Sequence, residues 1–149
     1  MMFAVLAIAS IAFGADNRLG TWKLNTAKSK QAPGGSPITN FTETIEAADG
    51  GEKITAKVER ADGSKNDLVE TAPFGKEIPM PAGARWDTVE EKQVDANTFT
   101  LERRSRKAGK YHSTVRIVVS KDGKSMTYTE NGTDADGKLF TSVLVFDRQ

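Results

Sequence analysis

The chain of 149 residues contains no cysteine and a single histidine, His112. Without cysteine it can form neither disulfides nor thiolate metal centres, so packing alone must carry its stability. One histidine permits a Ser-His-Asp arrangement by count only, and a zinc site would need carboxylates almost throughout. An excess of either charge is missing too. The 21 Lys and Arg face 20 Asp and Glu, for a net +1, which gives no field to gather nucleic acid or another polyanion. No stretch beyond residue 15 carries a long helical period, and Asn25 to Lys30 has room for one turn. No apolar run is long enough to cross a bilayer as a helix.

The longest apolar stretch is Met1 to Gly14, MMFAVLAIASIAFG. Its length and the small residues Ala12, Gly14 and Ala15 fit a signal peptide with cleavage after Gly14 or Ala15, although the usual Lys or Arg at the start is missing. The expected organisation is a signal peptide over residues 1–15 and one domain over 16–149, giving a secreted or periplasmic protein with no stable membrane span. An exported domain without disulfides suits a bacterial periplasm.

Past residue 48 the chain keeps a rhythm of turns. Asp49-Gly50-Gly51, Asp62-Gly63, Ala108-Gly109, Asp122-Gly123 and Asp136-Gly137 are glycine turns, and Asp95-Ala96-Asn97 is a glycine-free equivalent. Asp-Gly suits tight hairpins whose two central residues both take positive φ. Between turns the apolar residues alternate, as half-buried strands require. Ile54, Ala56 and Val58 share a face, as do Phe99 and Leu101, and Met126 and Tyr128. So do Tyr111, Ser113, Val115, Ile117 and Val119. The last segment places Phe140, Leu144 and Phe146 on one side and Val143 and Val145 on the other, so a second piece of chain should cover it. The prolines at 73, 79 and 81 break up Phe74 to Arg85, leaving a short strand there. Long strands joined by tight turns predict an all-β antiparallel meander.

The stretch Gly20-Thr21-Trp22-Lys23-Leu24-Asn25 resembles the first strand of the calycin superfamily, which holds lipocalins and fatty-acid-binding proteins. With Ala27-Lys28-Ser29-Lys30, Val118 to Lys124 and Gly132 to Lys138, it is similar to small exported bacterial proteins described as lipocalin-like. The resemblance implies a single up-and-down antiparallel β-barrel, lipocalin- or fatty-acid-binding-protein-like, of about eight to ten strands with a pocket open at one end. It makes Trp22 a structural plug of the closed end, stacked on an arginine, here Arg148 or Arg116. Fatty-acid-binding proteins end on an Arg-x-Tyr strand that clamps a carboxylate. The corresponding residues are Leu144-Val145-Phe146, so that clamp is missing and a more neutral ligand, or a solid core, is implied.

Several side chains invite chemistry. His112 falls on the polar side of its strand and should face solvent. Glu130, Asp134 and Asp136 crowd a turn without the ligand spacing of a calcium loop. Arg103, Arg104, Arg106, Lys107 and Lys110 form a basic run, in which Arg103 alone shares the apolar face of Phe99 and Leu101. An arginine there needs a partner, Glu90 or Glu130, or a ligand anion. Trp86, Phe99, Arg103, Tyr111, Met126 and Tyr128 form the expected pocket, with no catalytic residue, metal or cofactor. The expected protein is a monomeric, non-enzymatic barrel that holds a small hydrophobic or amphipathic molecule. The alternative is a barrel filled by its own side chains that acts through its surface.

Overall fold

Glycine sets the hairpin ends, and alternation sets what lies between them. A computed structural model describes residues 15–80, 86–105, 111–134 and 136–149. Its strands are β1 (Gly20–Leu24), β2 (Ile38–Ala48), β3 (Gly51–Arg60), β4 (Lys65–Pro73), β5 (Glu77–Pro79), β6 (Thr88–Gln93), β7 (Thr98–Arg104), β8 (His112–Val119), β9 (Ser125–Thr133) and β10 (Leu139–Arg148). The signal-peptide stretch over residues 1–14, Pro81, the Gly83-Ala84-Arg85 segment, Arg106, Lys107, Lys110 and the Ala108-Gly109 turn lie outside the described residues.

All ten strands belong to one antiparallel sheet, ordered β4-β3-β2-β1-β10-β9-β8-β7-β6-β5. The meander is broken once, where β1 pairs with β10 as well as β2, setting Trp22 opposite Arg148 and Leu24 opposite Phe146. The sheet curls until its two ends approach. There the Gly75 amide, just past β4, donates to the Glu91 carbonyl of β6 at 2.7 Å. A nearly closed, fatty-acid-binding-protein-like barrel results, without a helix among the described residues.

Alternation holds along the strands. On β8, Ser113, Val115, Ile117 and Val119 are buried while His112 and Arg116 are exposed. Trp22, Phe99, Ile117, Met126 and Phe146 are fully buried and fill one end of the barrel. The turn at Asn25 to Ser29 forms, with the Lys28 amide on the Asn25 carbonyl at 3.2 Å. Beyond it, Lys30 and Val143 exchange backbone hydrogen bonds of 2.7 Å. The segment that meets the two-sided apolar strand β10 therefore lies along its edge, in the plane of the sheet.

The turn chemistry differs from expectation in one respect. Gly50, Gly63, Gly123 and Gly137 take positive φ, but no non-glycine residue among those described does. At Asp122-Gly123 the aspartate keeps a negative φ, and its carboxylate accepts from the Lys124 amide (3.1 Å) and the Ser120 hydroxyl (2.6 Å). Only the glycine needs the left-handed conformation, as in a turn with a glycine bulge.

Candidate functional site

The expected pocket residues divide between two places. Phe99 and Met126 lie at the filled end, packed with Trp22 and Phe146. The Trp22 indole N–H donates to the Arg18 carbonyl at 2.7 Å, and the Arg148 guanidinium lies 4.1 Å over its ring. Arg116, the alternative partner, is exposed on β8. Outside this end is a pocket of about 360 Å³ lined by residues including Asp16, Ser120, Asp122 and Arg148. Arg148 is bound there to the carbonyls of Asn17, Leu19 and Gly123, so its donors are largely spent.

Trp86, Arg103 and Tyr111 meet toward the other end. The Arg103 guanidinium sits 4.3 Å over the Trp86 ring and pairs with Glu130 at 3.2 Å. Trp86 stacks on Tyr111 and Tyr111 on Phe140, with ring centres 6.3 and 6.4 Å apart. The Glu130 carboxylate also accepts from Ser113 at 2.6 Å and from Tyr111 at 3.4 Å. Glu90, the other partner considered for Arg103, instead pairs with Lys92. The crowding of Glu130 with Asp134 and Asp136 separates as well. Glu130 turns inward, whereas Asp134 accepts the amides of Asp136 and Lys138 within the hairpin. His112 is exposed and meets Glu102 at 3.0 Å.

The cluster keeps contact with solvent: the Arg103 and Glu130 side chains are 17% and 19% exposed. Among the described residues, neither Nε of Arg103 nor Nε1 of Trp86 has a hydrogen-bond partner. Both are donors, held beside an aromatic wall, and both suit an acceptor on a small molecule.

Between the two ends lies a polar layer built from residues that the strand pattern places inside but that sequence reasoning passed over. Arg18, in the segment before β1, is buried and paired to Glu52 of β3 and Glu91 of β6, with its guanidinium 4.3 Å over the Phe99 ring. Burial opposes the charge on Arg18, but Glu91, Tyr128 and Glu52 outweigh it and raise its pKa. One guanidinium balances one carboxylate, and burial pushes the second, Glu52, up to about 9. Glu43 is buried and accepts from the Tyr128 hydroxyl at 2.7 Å. Burial pushes Glu43 up to about 7 against the opposing effect of that hydrogen bond, and raises Tyr128. Glu70 of β4 is raised by burial and by Glu91. Alternation with Ile45, Ile54, Ala72 and Val89 marks Glu43, Glu52, Glu70 and Glu91 as inward. Arg18 precedes the first strand and has no such mark.

No protein-family model and no curated protein sequence matches the chain. Solved structures do. The wild-type fluorescent protein UnaG is 17% identical and superposes over 89% of this chain and 98% of its own, with a TM-score of 0.58. As-p18, described as an extracellular fatty acid binding protein, is 13% identical over 91% and 98%, also with a TM-score of 0.58. At such identities the likeness is one of fold.

Proposed function

We propose that the barrel holds a small, partly apolar molecule where Trp86, Arg103, Tyr111, Glu130 and Phe140 converge, and that it does so as an exported, non-catalytic binding protein. The observation that carries this is the contrast between the barrel's two ends. At one, Trp22, Phe99 and Met126 are fully buried. At the other, a stacked guanidinium and an indole keep donor atoms without partners, among the described residues, beside an aromatic wall. A partly desolvated pocket wall with a few oriented polar atoms is how small ligands are held. Similarity of fold to an extracellular fatty acid binding protein supports a carrier, and the apolar stretch over residues 1–14 supports export to the periplasm or beyond.

Native mass spectrometry of the protein purified from its own host tests the reading. A co-purifying molecule, retained in wild type and lost on Arg103→Met, is the expected result. Bare protein, unchanged after challenge with a lipid extract, refutes it.

The filled end favours a second reading, in which packing continues through the barrel and the surface does the work. Under that reading Trp86→Ala lowers stability and no apolar dye is taken up by either form.

A further inference from the structure

Among the described residues, the barrel interior holds more acids than the cations beside them can balance. Alternation turns Glu43 of β2, Glu52 of β3, Glu70 of β4, Glu91 of β6 and Glu130 of β9 toward the axis. Among the described residues, two guanidiniums meet them: Arg18 pairs with Glu52 and Glu91, and Arg103 with Glu130. Arg60, at the end of β3, is tied to the Ser36 carbonyl at 3.1 Å, and Arg148 lies over Trp22 at the filled end. The remaining strands bring no further charge inside: β1 contributes Trp22 and Leu24, β8 Ser113, Val115 and Ile117, and β10 Ser142, Leu144 and Phe146. Tyr111 and Tyr128 also turn inward, and their hydroxyls donate to Glu130 and Glu43, while Asp16 hydrogen-bonds Glu52 and Asp87, just before β6, shares the parity of Val89 and Glu91.

Glu43 and Glu70 are therefore left without an ion-pair partner among the described residues. Oε2 of Glu70 is buried and has no hydrogen-bond partner among them either. An entering carboxylate could meet Arg103 Nε and Trp86 Nε1 at the open end, but further in it would set an anion beside Glu43 and Glu70, where no unpaired cation stands among the described residues, and would have to take up a proton to stay. An entering ammonium finds acceptors waiting. Glu43 or Glu70 then gives its proton to solvent and pairs with the ligand.

Building on the carrier reading, we infer that this barrel discriminates by head-group charge: of ligands with the same aliphatic chain it takes the primary amine and rejects the carboxylate. Amine uptake should strengthen as pH rises from 5 to 8, while carboxylate uptake weakens.

Displacement of the uncharged dye Nile red by dodecylamine, dodecanol and dodecanoate, each below its aggregation threshold, tests this directly. At pH 7.5 dodecylamine should compete at least about tenfold better than dodecanoate, with dodecanol between them. The double variant Glu43→Gln/Glu70→Gln, checked for fold by circular dichroism, should bring amine and carboxylate to near parity. Dodecanoate competing as well as the amine, dodecanol matching the amine, or a preference that survives the double variant each overturns the inference while leaving the carrier intact. Failure of dye and all three competitors to bind overturns the carrier reading, and this inference with it.

Discussion

Glu43 makes the barrel's stability depend on pH in a direction opposite to that of most carboxylates. Its side chain is buried, its carboxyl accepts one hydrogen bond from Tyr128, and burial pushes its pKa from 4.5 to about 7. Below pH 4.5 the group is protonated in both folded and unfolded chains, and the full stability is present. Between 4.5 and about 7 the unfolded chain gives up its proton while the native state keeps it, so stability falls as pH rises. Above 7 the native group ionises too and the loss levels off. At about 1.4 kcal/mol per pH unit, the interval is worth about 3 kcal/mol. Glu43→Gln removes the titration and keeps an oxygen to accept from Tyr128. The variant should match wild type at pH 4 and exceed it by about 3 kcal/mol at pH 8. Urea unfolding at half-unit pH steps, read as the difference between the two proteins, measures this with Glu52 common to both. A difference that stays flat from pH 4 to 8, or a wild type more stable at pH 8, refutes the burial argument.

Three further outcomes are expected of the same structure. Arg18→Met leaves Glu91 inside without its cation and should cost about 3–5 kcal/mol at pH 8 by chemical denaturation. Glu130→Gln weakens the acceptor shared by Arg103, Ser113 and Tyr111. It should lower stability by about 1–3 kcal/mol and shift the fluorescence of Trp86, read in a Trp22→Phe background. His112→Ala, at an exposed site, should stay within about 0.5 kcal/mol of wild type in a thermal melt and leave ligand retention unchanged. A larger effect would assign this histidine a role its position on the outer face does not suggest.

The strands were readable because one side of each is wet. Ser113 to Val119 alternates in burial as it alternates in sequence, and the same parity singled out Arg103 as an inward charge whose partner is Glu130. The pocket was only half readable. Parity tells inside from outside but says nothing about depth along the barrel, which depends on strand register. Phe99 and Met126 therefore share a face with Arg103 and Tyr128 yet sit at the filled end. Glu43, Glu52, Glu70 and Glu91 carry the same inward mark as Arg103, but a carboxyl flanked by Thr and Lys looks like any solvated strand residue until its neighbours across the sheet are known. Arg18 was out of reach. It lies in an irregular segment, and its place is set by tertiary contacts with Glu52, Glu91 and Phe99, distant in sequence.

The pairing of β1 with β10 governs how the chain reaches this state. Hairpins such as β2–β3 and β9–β10 join near neighbours and can zip early. Trp22, however, finds its register against Arg148, and the Gln149 amide reaches the Thr21 carbonyl at 3.0 Å. Closing a loop of that size must be met before those contacts repay it, which places the chain among slowly folding, high-contact-order proteins. Until that pairing forms, β1 and β10 each present an unpaired edge, and that interval is when the nascent barrel is most open to joining a neighbour instead of itself.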